Sequence, residues 1–247
     1  MEDIQNKVVV ISGASGGLGK ALAIGFGERG ATLGICARDK TRLASVAEHL
    51  KKTNCQHLAR SFDIRDERSV YGFVEEILKA FGRIDVVINN ASVLGPRNEI
   101  ASYPVHAWDE VIAINVSGMF HLTKHALKIM KAQGSGSIID VSSSVGRKGI
   151  KLWGAYAVSK FAMEGFTEVL ADELRGSGIR VNSVNPGPIA TEMRRAAYPA
   201  EDQSRLKQPE EILDIFYYLA SDGSTHISGE KFDAQNFSVQ SLNFKLR

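Results

Sequence analysis

The chain has 247 residues, of which 44% are hydrophobic and 23% are charged, so it is long enough to bury the core of one large domain. Its net charge of +2 gives no electrostatic reason to expect nucleic acid or an anionic membrane as a partner. The polar start at residues 1–7, and the lack of an apolar run near the roughly 18 residues of a bilayer span, predict a soluble, cytoplasmic, single-domain protein over 1–247 that takes a small molecule.

Short apolar runs rich in Val and Ile alternate with longer segments of helical periodicity. Strands are predicted at residues 7–12, 31–36, 57–62, 84–89, 137–142 and 179–184, with a short edge strand at 230–234. Helices are predicted at residues 18–29, 40–52, 66–81, 104–132, 153–175 and 209–220. Apolar strands without alternation must be buried on both faces, so this order predicts an α/β, doubly wound, Rossmann-type fold with a mostly parallel sheet and helices on both faces.

A glycine-rich stretch, Ser12-Gly13-Ala14-Ser15-Gly16-Gly17-Leu18-Gly19, connects the first strand to the first helix. The missing side chains let the backbone approach a pyrophosphate, while the N–H groups of the next helix point at its charge. Gly13, Gly17 and Gly19 give the spacing G-x-x-x-G-x-G, whereas Gly13, Gly16 and Gly19 give G-x-x-G-x-x-G. These spacings are typical of different nucleotide-binding proteins, so the stretch alone leaves the kind of protein open.

The segment after the second strand bears on the choice of cofactor. A carboxylate is expected there when the ribose 2′-hydroxyl of NAD is bound, but the chain has Ala37 and Arg38. This pair removes a charge that would repel a 2′-phosphate and supplies a planar donor for it. NADP(H) is therefore favoured over NAD(H), although surface arginines are common and Asp39 follows directly.

Polar and small residues follow the next two strands. Asp63 and Ile64 suit the amino edge and the face of an adenine, although an Asp at this place is also a common helix cap. Asn90 and Ala91 follow the fourth strand, beside the expected path of the cofactor.

Tyr156 and Lys160 are four residues apart on a predicted helix, which places the phenol and the ammonium on one face. Hydride transfer to a carbonyl leaves an alkoxide that needs a proton, and a phenol supplies it if its pKa is lowered from about 10. A nearby ammonium lowers that pKa by stabilising the phenolate. The preceding strand ends in Ser142, Ser143 and Ser144, which are also ordinary turn residues.

These features resemble the classical short-chain dehydrogenase/reductase family over nearly the whole chain and in the same order. The resemblance is carried by Ser12-Gly13-x-x-x-Gly17-x-Gly19, Asp63, Asn89-Asn90-Ala91, Asn115, Ser143, Tyr156-x-x-x-Lys160 and Asn185-Pro186-Gly187 with Thr191. It implies a seven-stranded sheet in the order 3-2-1-4-5-6-7 and selects the first glycine spacing. The chain departs from the family with Ser12 in place of the usual Thr and with Ser92 in place of a common Gly.

The resemblance also implies a role for each catalytic residue. Tyr156 is the general acid or base, and Ser143 hydrogen-bonds the substrate carbonyl. Ser143 is chosen among the three serines because the pattern Ser-x-x-Gly then ends at Gly146. Lys160 lowers the pKa of Tyr156 and binds the nicotinamide ribose, and Asn115 holds a water that links Lys160 to solvent. The expected cofactor-binding residues are Gly13, Ser15, Gly17, Leu18, Gly19, Arg38, Asp63, Ile64, Asn90, Ala91, Tyr156, Lys160, Pro186, Ile189 and Thr191.

Residues 192–207 stand where the family has a substrate lid. A substrate pocket could be lined by Trp153, Met193 and Tyr198, and an anion could be met by Arg194 and Arg195. The sequence is equally consistent with all five being residues of solvated loops. No metal is expected, because His121 and His125 lack a third ligand at suitable spacing. The family pairs the helices predicted at 104–132 and 153–175 across a two-fold axis, which implies a homodimer or homotetramer.

The sequence therefore predicts an NADP(H)-dependent oxidoreductase that moves a hydride between the nicotinamide and a ketone or secondary alcohol. A 3-oxoacyl-thioester reductase of the same family is an alternative, although Gln133-Gly134-Ser135-Gly136-Ser137 has no Arg to meet an acidic carrier protein. The second glycine spacing allows an epimerase or dehydratase of the extended relatives that acts on nucleotide sugars, but this alternative predicts a longer C-terminal substrate domain than the roughly 60 residues that follow Gly187. A non-catalytic NAD(P)-sensing regulator is disfavoured because Asn115, Ser143, Tyr156 and Lys160 are all present.

Overall fold

The computed structural model describes residues 4–238 and contains one seven-stranded sheet in the order β3-β2-β1-β4-β5-β6-β7. All six strand pairs are parallel, so the predicted, mostly parallel sheet is confirmed and is entirely parallel within this range. The strands are β1 (Val8–Ser12), β2 (Thr32–Ala37), β3 (His57–Ser61), β4 (Val86–Asn89), β5 (Gly136–Val141), β6 (Ile179–Asn185) and β7 (Lys231–Asp233).

Eight α-helices connect or follow these strands within residues 4–238. They are α1 (Gly17–Glu28), α2 (Lys40–Lys52), α3 (Glu67–Phe81), α4 (Val105–Ile112), α5 (Met119–Gln133), α6 (Gly154–Glu173), α7 (Glu192–Ala197) and α8 (Asp214–Ala220). The long helix predicted at 104–132 is present as α4 and α5 joined by a π-helical segment, Ala113–Gly118. No helix in the described range has the length and apolar character of a membrane span.

Each face of the sheet carries its own hydrophobic core, because successive side chains of a strand point to opposite faces. Val9 and Ile11 of β1 belong to the core that packs against α1, α2 and α8. Val8 and Val10 belong to the core that packs against α3, α5 and α6. All four are at most 3% exposed, so β1 is buried on both faces, as its unbroken apolar sequence predicts.

The order of the sheet places the functional residues at one edge. The chain winds from β1 toward β3 in one direction and from β4 toward β7 in the other. The loops after β1 and β4 therefore diverge and leave a crevice at the carboxyl ends of the strands, which is where doubly wound proteins bind ligands.

Candidate active site

The turn after β1 uses the first of the two glycine spacings. Gly13 has φ 69° and Gly17 has φ 50°, conformations that L side chains rarely adopt. A Cβ at Gly19 would collide with the carbonyl oxygen of Gly13, so this glycine allows α1 to pack closely on the turn. Gly16 has an extended backbone that any residue adopts, with φ −169°. Gly13, Gly17 and Gly19 are therefore the glycines that the backbone requires.

Hydrogen bonds fasten this turn to the loop after β4. The Oγ of Ser12 accepts from the backbone N–H groups of Asn90 and Ala91, each at 3.1 Å. The Nδ2 of Asn90 donates to the carbonyl oxygens of Ser12 at 3.0 Å and Gly13 at 3.2 Å. The Asn90 amide thus holds the turn in shape, and a Ser at position 12 retains the hydroxyl that this contact needs.

Two arginines border the cleft beyond β2. Arg38 lines it and pairs with Glu110 at 3.4 Å, while Asp39, which follows Arg38 and also lines the cleft, caps α2 by accepting from the N–H of Arg42. Arg42 also lines the cleft and was missed from the sequence. Its place in the first turn of the helix that follows Arg38 was the signal that could have identified it.

Asp63 does not line the cleft, whereas its neighbours Phe62 and Ile64 do. The Arg65 guanidinium holds both carboxylate oxygens of Asp63, with Nη2 at 2.6 Å from Oδ2 and Nε at 3.0 Å from Oδ1. Hydrogen bonds from Arg65 hold the pKa of Asp63 below its usual range. The contact of Asp63 with an adenine stays a prediction.

The cleft brings Ser143, Tyr156 and Lys160 together. Ser143 begins the tight turn after β5, and Tyr156 and Lys160 are on α6, with Lys160 Nζ 5.6 Å from the centre of the Tyr156 ring. A Cβ at Gly146 would lie 2.8 Å from the Cβ of Lys160, so this glycine lets the serine turn approach the helix. These three predicted catalytic residues therefore share one site.

Burial raises the pKa of Tyr156, and hydrogen bonds with the Ser143 and Ser92 hydroxyls lower it by less. The pKa of Tyr156 is therefore raised, where the resemblance implies that Lys160 lowers it. The physical reason is that a buried phenolate loses its hydration, and Lys160 is itself desolvated. Ser92, noticed in the sequence only as a departure from the family, is thus a second hydroxyl partner of the phenol.

Lys160 is buried to 1% exposure and donates to the carbonyl oxygen of Val141 at 2.7 Å. Burial lowers its pKa to about 8, and the carboxylates of Asp140 and Glu164 oppose this shift. Asp140 is fully buried and accepts hydrogen bonds from Asn89 and Thr167, yet burial still raises its pKa to about 6. This buried carboxylate, which influences the pKa of Lys160, was missed from the sequence.

Asn115 is fully buried in the π-helical segment and does not line the cleft. Its Oδ1 accepts from the N–H of Val93 at 2.8 Å, and its Nδ2 donates to the Val93 carbonyl at 3.0 Å and to Ser159 Oγ at 2.9 Å. The side chain therefore fastens the loop after β4 to α6. A water held by Asn115 stays a prediction.

The segment after β6 supplies the other wall of the cleft, where Pro186, Ile189 and Thr191 line it as expected. The Thr191 hydroxyl caps α7 by accepting from the N–H of Arg194 at 3.1 Å. The Thr191 methyl group lies 3.3 Å from a Cβ built at Gly17. The start of α7 thus approaches the glycine turn.

Beyond Tyr156 the cleft is apolar and aromatic. Trp153, Met193 and Tyr198 line it, and the Trp153 ring centre is 5.7 Å from that of Tyr156 and 5.9 Å from that of Tyr198. Arg194 is engaged by both oxygens of Glu201, and Arg195 does not line the cleft. Arg194 itself lines the cleft, so its contact with an anion stays a prediction, and Arg195 is not placed to make one there.

A dinucleotide fits this site. The cleft holds a cavity of about 450 Å³ that runs from Arg38 through the glycine turn to Tyr156. The backbone at the glycine turn is free of side chains at Gly13, Gly17 and Gly19, where a Cβ would contact neighbouring atoms. Ser15 and Leu18 of the same turn also line the cleft. The cavity thus offers a basic end, a backbone cradle for a pyrophosphate and a hydroxyl-bearing end.

Comparison with known proteins agrees with this geometry. The sequence profile of the short chain dehydrogenase family matches residues 7–202. The oxidoreductase YciK of Escherichia coli K12 is 35% identical, covering 94% of this chain and 93% of its own. A 3-oxoacyl-acyl-carrier-protein reductase FabG of Thermotoga maritima is 33% identical, covering 92% and 95%. A short chain dehydrogenase from Escherichia coli CFT073, crystallised with NADPH, superposes with a TM-score of 0.89 at 35% identity, covering 95% and 99%.

The fold, the glycine turn and the Ser143, Tyr156 and Lys160 cluster agree with a family match that spans well over half of the chain. The sheet order is also that implied by the resemblance in the sequence. The chain belongs to the short-chain dehydrogenases and is an oxidoreductase of that family.

Proposed function

We propose that the protein is an NADP(H)-dependent oxidoreductase that transfers a hydride between the nicotinamide and a ketone or secondary alcohol, with Tyr156 as general acid and base. The observation that carries this proposal is the meeting of Ser143, Tyr156 and Lys160 between the glycine turn and an apolar pocket. The site combines a place for a dinucleotide with a proton donor beside a place for an apolar carbonyl compound.

A bound nicotinamide supplies or accepts the hydride. During reduction the carbonyl oxygen gains charge, and the Ser143 hydroxyl donates a hydrogen bond to it while the phenol of Tyr156 gives it a proton. Burial raises the pKa of Tyr156, so the phenol is protonated at neutral pH and the transfer of its proton depends on stabilisation of the phenolate. The Lys160 ammonium, charged below its pKa of about 8, stabilises the phenolate that remains.

The direct test is turnover of NADPH by the purified protein with a panel of ketones, quinones, keto-steroids and acyl thioesters. Oxidation of NADPH that depends on a neutral ketone supports the proposal. No turnover with any carbonyl compound, despite tight cofactor binding, would instead favour a non-catalytic sensor.

A 3-oxoacyl-thioester reductase is the second candidate, and the reductase of Thermotoga maritima named above favours it. Ser135 and the residues around it, at the entry to β5, present no Arg to an acidic carrier protein, which counts against this substrate. The rates of reduction of the acetoacetyl thioesters of coenzyme A and of acyl-carrier protein, compared with those of free ketones, decide between the two functions. A preference for the carrier-bound thioester over all free ketones would establish the second function.

Arg38 supports the choice of NADP(H), as does the NADPH bound by the related structure. We expect Arg38→Ala to raise the Kd of NADPH roughly 10-fold or more, since a charge-assisted contact to the phosphate is lost. The Kd of NADH is expected to stay within twofold, because NADH has no 2′-phosphate. Fluorescence titration of both cofactors measures this, and a parent protein that binds NADH at least as tightly as NADPH contradicts it.

We also propose that residues 192–207 form a substrate lid.

A further proposal is that two copies of the chain pair through α5 and α6. Large apolar side chains are partly exposed on these helices, namely Phe120, Val158, Phe161 and Val169. Phe161→Glu places a charge in this face, so we expect it to convert a dimer into monomers or a tetramer into dimers. Light scattering after gel filtration measures the mass; Tyr71→Glu, at an equally exposed aromatic on α3, is the matched control. A monomeric parent protein contradicts the pairing.

A further inference from the structure

Arg42 takes up the space beside Gly16 at the basic end of the cleft. A Cβ built on Gly16 would collide with Nη2 of Arg42, whose guanidinium therefore lies directly over the glycine turn. Arg42 comes from the first turns of α2, and Arg38 precedes that helix. Two guanidinium groups thus border the same end of the cleft, one after β2 and one above Gly16.

Arg42 is also bound to the other side of the cleft. Its Nη1 donates to Oε2 of Glu192 at 2.7 Å, across 150 residues of sequence. Glu192 is the first residue of α7 and follows Thr191, which packs near Gly17. The ion pair therefore connects α2 to the segment that begins the proposed lid, directly above the glycine turn.

We propose that Arg42 is a second ligand of the 2′-phosphate of NADP(H) and that Glu192 competes with this phosphate for it. This inference rests on the proposed function, because it concerns the same cofactor site. Glu192 then weakens the binding of NADP(H). Because Glu192 stands at the start of the proposed lid, a bound 2′-phosphate also changes a contact of that segment.

The energetics of the pair favour the phosphate over the carboxylate. The Arg42 side chain is 46% exposed and that of Glu192 is 71% exposed, and ion pairs this exposed contribute little. A phosphate monoester carries more negative charge than a carboxylate and offers a guanidinium three acceptor oxygens. A bound 2′-phosphate also repels Glu192, so the two anions do not share Arg42 equally.

The two cofactors should therefore behave differently. NADH has no phosphate at the 2′-position, so the contact between Arg42 and Glu192 persists when it binds. NADPH must displace Glu192, and the carboxylate accordingly weakens the binding of NADPH alone. The difference between the two cofactors is the property that separates this role from a merely structural ion pair.

The test is a double-mutant cycle on Arg42→Gln and Glu192→Gln, in which fluorescence titration gives the Kd of NADPH and of NADH. We expect Arg42→Gln to weaken NADPH binding at least fivefold and Glu192→Gln to tighten it about threefold, with NADH changed less than twofold by either. In the double variant the gain from Glu192→Gln should disappear. Lys40→Gln, on the same helix and outside the cleft lining, is the matched control.

The possible failures are distinguishable. An unchanged Kd of NADPH in Arg42→Gln, with the effect of Arg38→Ala intact, overturns the inference and leaves the proposed function standing. An equal effect of Glu192→Gln on NADPH and NADH shows that Glu192 acts through the lid alone, which also overturns it. If the parent protein binds neither cofactor, the proposed function fails as well.

Discussion

Tyr156→Phe is expected to lower kcat/KM for the reduction of an accepted ketone by roughly 10²-fold to 10⁴-fold, the range of a lost general acid. The substitution removes the phenolic oxygen and with it the proton that the carbonyl oxygen must receive. The ring remains in the buried cluster with Trp153 and Val145, so the fold and the cofactor site should persist. Steady-state kinetics with NADPH measures the loss, and a Kd of NADPH within threefold of the parent shows that binding survives.

Tyr198→Phe is the matched control for this prediction. Tyr198 lines the same cleft and also contacts Trp153, but its hydroxyl bonds with Arg194, whereas Ser143 and Ser92 bond with the phenol of Tyr156. Its loss should change kcat/KM for an apolar ketone by less than fivefold. Equal losses in the two variants, or more than a tenth of the parent activity in Tyr156→Phe, would show that Tyr156 is not the proton donor.

The features predicted correctly from the sequence are those that local chemistry imposes. β1 reads as Val-Val-Val-Ile-Ser and is buried on both faces, because only a central parallel strand tolerates an unbroken apolar run. Gly13 and Gly17 adopt positive φ, as a turn this tight requires. Tyr156 and Lys160 share a helix face because their spacing matches its period.

The features that were missed depend on side chains meeting across distant segments. Arg42 lies above Gly16 only because the loop after β2 brings α2 to the glycine turn, and its partner Glu192 is 150 residues away. The raised pKa of Tyr156 follows from burial, which no spacing along the chain reveals. In the sequence Asp140 is one charged residue in a mainly apolar strand, and only the packing of α6 places it near Lys160.

The buried groups around Lys160 determine the pH range in which this residue is charged. Burial disfavours the ammonium, and Asp140 and Glu164 partly restore it, so its pKa is lowered only to about 8. Below that pH the ammonium is present and stabilises the phenolate that forms during reduction. As the pH rises through about 8 the charge is lost, and the rate of ketone reduction should fall with it.

Lys160→Met should therefore lower kcat/KM for ketone reduction on the order of 10²-fold to 10³-fold, the effect of removing one preorganised charge. It should also abolish the decline of the remaining activity near pH 8. The variant is not expected to unfold, because Met fills a similar volume and loss of the ammonium raises the pKa of Asp140 further, which favours the neutral carboxyl in its buried place. Kinetics from pH 6 to pH 10 and thermal melting measure both effects.

Lys231→Met separates the catalytic charge from the general effect of removing a lysine near Glu164. Lys231 Nζ lies 3.8 Å from Oε2 of Glu164 and 2.6 Å from Oε1 of Glu168, and it does not line the cleft. Its replacement should leave kcat/KM and the decline near pH 8 almost unchanged. If Lys160→Met retained that decline, the titrating group would be another residue, and the low pKa of the buried ammonium would have no part in the reaction.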